Sequence, residues 1–225
     1  MIRLSEPFVA SIAHSLNLAQ IPCVLWGHYL LVLHGIPSGV GSIDFIVPDD
    51  LLADGLKILS QLKGLAPCPG GKHCPSRSAD RYTPPPAVHV HVEASEVRVG
   101  LYPQADVLWF LPPLDGSLVC PKKSQLSRYF VLASDDNVLP PWRPGRGSGV
   151  FKEGGDKVVA LKCHVMLEAL MRTYARDEGA SVGGFGASTI VYVEKFVDND
   201  GFLDLKSMKH LNCTTCAAQR VASSV

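Results

Sequence analysis

The sequence predicts an α/β fold, a mixed β-sheet flanked by helices and followed by an α-helical C-terminal part. Three observations carry that expectation. Segments of helical and extended character alternate along the N-terminal half, the order that builds a sheet backed by helices. The run Ala87–Glu93 (AVHVHVE) alternates apolar and polar residues with the period of a strand. Past residue 156, apolar positions (Val158, Val159, Leu161, Val165, Leu167, Leu170, Met171) recur at helical spacing.

A chain of 225 residues, 47% hydrophobic, holds enough apolar material for one large domain, or a core with an appendage. Lys+Arg and Asp+Glu balance at 21 each, so there is no bulk positive field for nucleic acid or an anionic membrane. Phosphate handling would have to come from local geometry. The opening MIRLSEPFVASIAHSL has no continuous apolar stretch of the kind that heads a secretory signal. The longest apolar run, Ile21–Ile36, falls short of the ~20 residues that span a bilayer. The expected setting is therefore cytoplasmic. Seven cysteines, an odd number in mostly apolar surroundings, suit reduced thiols better than a disulfide framework.

The elements follow in order. Ser5, Glu6 and Pro7 make a helix start, with a hydroxyl cap, a first-turn acid and a proline where no N–H is needed. Phe8, Val9, Ile12 and Leu16 give that helix one apolar stripe ending near Asn17. A short buried strand, Cys23–Trp26, meets a corner at Gly27. An apolar helix, His28–Leu33, and a Gly/Pro/Ser loop from Gly35 to Gly41 lead to a second strand, Ile43–Val47. Asp49 or Asp50 caps the next helix, whose leucines 51, 52, 56, 59 and 62 recur up to Lys63.

Leu65–Pro86 is crowded with proline, glycine, Cys68 and Cys74, and reads as an irregular surface excursion. Ala87–Glu93 and Glu96–Leu101 pair across the Ala94-Ser95 turn, and Asp106–Phe110 (DVLWF) is a further short strand. These segments make an α/β core over 1–133. An irregular linker over 134–155 precedes a helical region over 156–225. Within that region the spacing predicts a helix over 156–175, a glycine-rich linker over 179–188, and helices over 189–196 and 203–219.

Asp44 stands alone among apolar neighbours in its strand, and burying a carboxylate is costly unless a cation or metal faces it. It is joined by Gly27-His28, which lies thirteen residues ahead of Ser42-Ile43-Asp44. That layout resembles the nucleotidyltransferase signature, a glycine corner followed by an acid-x-acid strand. Longer phrases carry the same likeness over roughly residues 8–211: LWGHYLLVLHGIPSGVGSIDFIVPD, YPQADVLWFLPPL and LKCHVMLEALMRTYARD. The chain is thus similar to little-characterised proteins of the nucleotidyltransferase-like superfamily.

The resemblance implies a nucleotidyltransferase-like mixed sheet and metal-dependent transfer of a nucleotidyl group from an NTP to a small-molecule hydroxyl. Gly27, the His28 amide and Ser42 would hold phosphate. Asp44, with Glu93 or Asp106, would hold Mg²⁺ or Mn²⁺, because carboxylates on one face can clamp a hard cation. His91 is another occupant of the third-acid position. His28 and Asp44 are the catalytic pair. Ser42 stands where the motif has its first acid, and His28 where it has a small corner residue. Those departures imply an alternative: a catalytically degenerate relative that binds a small-molecule ligand or a protein partner without turnover. In a third reading His28 and Asp44 act as acid and base in small-molecule metabolism.

Two further clusters stand out. His89, His91 and Glu93 share one strand face; the simplest reading is the solvated face of an edge strand, the other a metal pair. Imidazoles favour a transition metal over Mg²⁺. His210-x-x-Cys213-x-x-Cys216, with Cys68 and Cys74 as further donors, has zinc-like composition, although its spacing also lines one helix face. Lys152, Lys157, Lys162 and Arg172 read as a charged surface.

Overall fold

The computed structural model describes residues 5–70, 74, 83–152, 155–177 and 181–208. Among them a seven-stranded mixed sheet runs in the order β3-β4-β5-β2-β1-β7-β6. Its centre is the strand–corner–helix–strand unit legible in the sequence. β1 (Val24–Trp26) enters α2 (Gly27–Leu33) at Gly27, whose φ of +66° is a left-handed conformation that favours glycine. The chain then returns as β2 (Ser42–Val47), antiparallel to β1.

β5 (Arg98–Pro103) runs parallel to β2 on its other side, and β4 (Val88–Val92) pairs antiparallel with β5. β3 (Leu65–Pro67) forms the edge beyond β4. The strand predicted over Ala87–Glu93 is therefore internal, not an edge. β3 itself arises inside the stretch expected to be irregular. α1 (Glu6–Leu18) and α3 (Leu52–Gln61) pack against one another, and α3 lies on β4 and β5. Gly55 of α3 sits so close to Leu101 that a β-carbon there would come within 2.7 Å of a leucine methyl. Leu101 is in register with Phe45 and Val88, so Phe45, Leu101 and the valines of β4 make the apolar face beneath these helices.

On the far side, β7 (Val159–Leu161) pairs parallel with β1, and β6 (Phe130–Leu132) pairs antiparallel with β7. The residues predicted as the first turns of a helix over 156–175 thus include a strand; the helix α5 begins only at Cys163 and runs to Arg176. Val159 and Leu161 are β-branched or apolar and every residue of β7 is buried, so pairing with β1 outweighs a helical period. The sheet also continues across the 134–155 linker. That linker is tied down: the Gly147 and Gly149 amides donate to the carbonyls of Gly35 and Val32.

Two other expectations change. DVLWF is not a strand; Gln104–Val107 forms the short helix α4, because the Gln104 side chain anchors the turn by donating to the Pro112 carbonyl and accepting from the Leu114 amide. The glycine-rich 179–188 stretch is largely helical: α6 spans Ser181–Val193 and continues as a π-helical turn over Glu194–Asp198. Glycine serves packing here. A β-carbon on Gly183 would press to 2.8 Å from the Asp177 carbonyl, and one on Gly186 to 3.3 Å from Tyr174, so α6 lies close on α5. Of the helix expected over 203–219, Leu203 and Asp204 are not helical, Leu205–Met208 forms a 3₁₀ turn, and 209–219 lie outside the described residues. No helix among the described residues is long and apolar enough to cross a membrane.

Candidate functional site

Strand register decides which polar side chains share a face. Trp26, Asp44, Gly100 and His89 align across β1, β2, β5 and β4. One step along, Ser42, Arg98 and His91 align in the same way. Residues paired in register project to the same side. Asp44, Ser42, Arg98, His89 and His91 therefore occupy one face, opposite the apolar face under α1 and α3.

Asp44 is 2% exposed. The Ser42 hydroxyl donates to its Oδ2 at 2.5 Å. The carboxylate lies between two glycines: a β-carbon on Gly27 would stand 2.6 Å from Oδ2, and one on Gly100 would stand 2.6 Å from Oδ1. The corner expected beside Asp44 is thus in contact with it. Arg98, 1% exposed, donates through Nη2 to the Pro84 carbonyl. The Tyr102 hydroxyl donates to that same carbonyl at 2.7 Å. Burial, with a contribution from the Asp44 charge, drives the Tyr102 phenol far above its ordinary range, so it remains a neutral donor. The end of the predicted surface excursion therefore lies on the sheet: Pro84 takes both bonds, and Pro86 packs over Gly100.

The other residues expected around Asp44 lie on other elements. Glu93 has left β4 and is exposed in the turn before β5. Asp106 is exposed on α4, where its backbone carbonyl accepts from Arg176. His28, half-buried on α2, places Nδ1 2.8 Å from the Ser38 hydroxyl, and its ring meets Phe185 of α6 edge-on at 5.6 Å. On the two strands flanking Asp44, the residues on its face are Val24 and Trp26 on one side and Arg98, Gly100 and Tyr102 on the other. None is acidic. Among the described residues, the set around Asp44 does not fit a pair of Mg²⁺ or Mn²⁺ ions, which need several carboxylate oxygens on one face.

The same face gathers a different donor set. Cys68, just past β3, and Cys74 meet His89 and His91 of β4, with one ligand-capable atom from each residue inside a 4.8 Å span. Cys74 Sγ lies 3.2 Å from His89 Nε2 and 3.6 Å from His91 Nε2. The imidazoles cross at 80° with ring centroids 5.0 Å apart. Cys74 and His91 are buried, and Cys68 and His89 are half-buried. Such a set can hold a metal ion. His89 is two strands from Asp44, about 10 Å at the usual interstrand spacing.

The simplest sequence reading of His89 and His91, a solvated edge face, fails because β3 covers the edge and the cysteines cover the face. The signal was present as a Cys-x5-Cys pair ahead of a His-x-His strand, but sequence spacing did not show that the connection folds back. His210, Cys213 and Cys216 lie outside the described residues. A cavity of about 760 Å³ opens elsewhere, between the start of α1, Tyr29 of α2 and the linker. Comparison of the chain with protein-family models, curated proteins and solved structures returns no match.

Proposed function

We propose that this chain is a non-catalytic relative of the nucleotidyltransferase-like proteins it resembles, acting as a small-molecule-binding module. The observation that carries this reading is the pairing of Asp44 with Trp26 and Gly100. The neighbouring strands give the carboxylate no acidic companion, while Arg98 stands one step along β5. Two-metal phosphoryl transfer depends on carboxylates that converge on the ions, and fold likeness alone carries no chemistry.

The ligand site is the 760 Å³ cavity, a size within the range of small-molecule pockets. Its walls offer the carboxylates of Glu6 and Asp156, the side chain of Lys152, the hydroxyl of Ser134, and Tyr29 and Phe151. The two rings meet edge-on with centroids 5.8 Å apart. Burial and the nearby Glu6 charge push the Tyr29 phenol up to about 12, so it presents a neutral hydroxyl. Carboxylates, hydroxyls and ring faces together suit a hydroxylated molecule bearing an amine.

Thermal shift tests the reading, with NTPs plus and minus Mg²⁺ or Mn²⁺ alongside a panel of amino sugars, amines and nucleosides. The expected result is no metal-dependent rise with any NTP and no pyrophosphate release. A panel hit should lose its shift in Glu6→Gln and keep it in Asp44→Asn. A Mg²⁺-dependent ATP shift abolished by Asp44→Asn would instead establish the metal-dependent transferase.

A further inference from the structure

We propose that Cys68, Cys74, His89 and His91 form a structural zinc site that fastens the β3–β4 connection to the polar face of the sheet. This inference is independent of the ligand-binding reading, since the cavity and the four donors share no residue.

The donor chemistry selects the metal. Two thiols and two imidazoles are a borderline-soft set that suits Zn²⁺ and disfavours Mg²⁺ or Ca²⁺, which take oxygen. Geometry agrees. Bonds of about 2.3 Å to sulfur and about 2.0–2.1 Å to nitrogen set the S···N edges of a zinc tetrahedron near 3.5 Å. The two distances from Cys74 Sγ to the imidazole nitrogens, 3.2 and 3.6 Å, bracket that edge. All four donor atoms lie within 4.8 Å of one another, so a contraction of about 1 Å closes the set to the roughly 3.8 Å S···S edge of a zinc tetrahedron.

Charge balances as well. On binding, each thiol gives its proton to solvent, and two thiolates then neutralise the divalent ion. The centre is left without net charge, as its partial burial requires. With four protein ligands there is no open position for water or substrate, so the ion's role is architectural.

The placement says what is fastened. His89 and His91 are fixed by pairing with Gly100, Arg98 and Ala66. Cys68 and Cys74 come from the connection that leaves β3 and returns at Pro84–Pro86 over Arg98 and Gly100. Zinc would pin the departing end of that connection, while the Arg98 and Tyr102 bonds to Pro84 hold the returning end.

The test is metal stoichiometry and Co²⁺ spectroscopy on the full chain, prepared reduced and reconstituted with Zn²⁺ or Co²⁺ alone. The wild type and the exposed-cysteine control Cys120→Ser should each hold one zinc per chain. With Co²⁺ both should show the intense visible bands of a tetrahedral ion together with a thiolate-to-metal charge-transfer band. Cys68→Ser and His89→Ala, at the two half-buried donors, should lower zinc affinity at least 100-fold, and Cys68→Ser should weaken the charge-transfer band. Retention of stoichiometry and affinity in both variants would overturn the assignment. Should a variant fail to fold, the wild-type spectrum decides alone: a weak octahedral spectrum without thiolate absorption rules the site out.

Discussion

Asp44 and Gly100 stand opposite one another on parallel strands, and the glycine's missing side chain is what leaves room for the carboxylate. A β-carbon at Gly100 would meet Asp44 Oδ1 at 2.6 Å and the Pro86 ring at 2.9 Å, so two rigid neighbours would have to move. Gly100→Ala is therefore expected to destabilise the fold by about 1–3 kcal/mol, the usual cost of overpacking. Gly27→Ala meets Asp44 as closely and adds a left-handed φ of +66°, worth roughly 1–2 kcal/mol more. Gly39→Ala, with open space around it, is the control and should be close to neutral. Urea unfolding checks all three; equal midpoints would contradict the packing.

Ser42 stands two residues before Asp44 on β2, and its hydroxyl is a donor to the Asp44 carboxylate. Ser42→Ala removes that donor from a buried carboxyl group, so a loss of about 1.5–3 kcal/mol is expected, the range for hydrogen bonds to charged groups. Ser42→Asp should cost more, because two carboxylates would then face each other beside Gly100. Should Ser42→Asp instead gain stability on Mg²⁺ addition, this face still builds a cation site. Chemical denaturation with and without Mg²⁺ separates the outcomes.

His34 ends α2 and places Nε2 2.9 Å from the Leu161 carbonyl of β7, linking the corner helix to the far strand. Burial pushes its imidazole down to about 4, with the carbonyl bond opposing and His164 adding to the shift. Below pH 6.5 the unfolded chain takes up a proton that the folded chain refuses. Stability is then full above about pH 6.5 and falls as the pH drops towards 4, by ~1.4 kcal/mol per unit and roughly 3 kcal/mol in all. His34→Gln retains a donor for Leu161 and removes the titration. Its stability profile between pH 6.5 and 4 should be flatter than the wild type's, with His164, also shifted down by burial, supplying a residual slope.

Asp200 gathers Arg143 at 2.6 Å and Arg146 through Nε at 2.9 Å and Nη2 at 3.2 Å, holding the 140–149 loop against the turn after α6. The guanidinium groups also stack on Phe202 and Phe196. Hydrogen bonding from Arg146 leads the effects that hold the Asp200 carboxyl below the ordinary carboxylate range. That contribution is present above about pH 3.9 and lost as the pH falls through the lower folded value. Asp200→Asn should lower the melting temperature near neutral pH and narrow its difference from the wild type in acid. A difference constant from pH 7 to pH 2 would contradict this account.

How much could be read from the chain differs between elements. The unit from Val24 to Val47 was legible because every local signal agreed: a glycine at the corner, an unbroken apolar run, and turn-forming residues in the loop. The alternating valines of β4 gave the strand and its apolar face without ambiguity. The apolar residues of Val159–Leu161 also fit a helical stripe, and pairing with β1 and β6 selects the extended form. The 181–188 stretch misled because glycine marks both flexible linkers and close helix contacts, and Tyr174 against Gly186 is a tertiary fact. For the site, Asp44 beside Gly27 could be expected from local sequence. The cysteines that join the two histidines could not, since Cys74 is fifteen residues from His89 and seventeen from His91 along the chain.

The sequence by itself determined the alternation of helix and strand, the apolar face of the central strands, the glycine bend and the isolation of Asp44 in its strand. Local periodicity and backbone preference act over a few residues, and these features live at that range. Only the tertiary structure decided that Gly100 and Trp26 are the cross-strand neighbours of Asp44, and that Cys68 and Cys74 meet His89 and His91. Strand order and register join residues far apart in the chain, and they are set by which faces can be buried together rather than by any one segment's own preference.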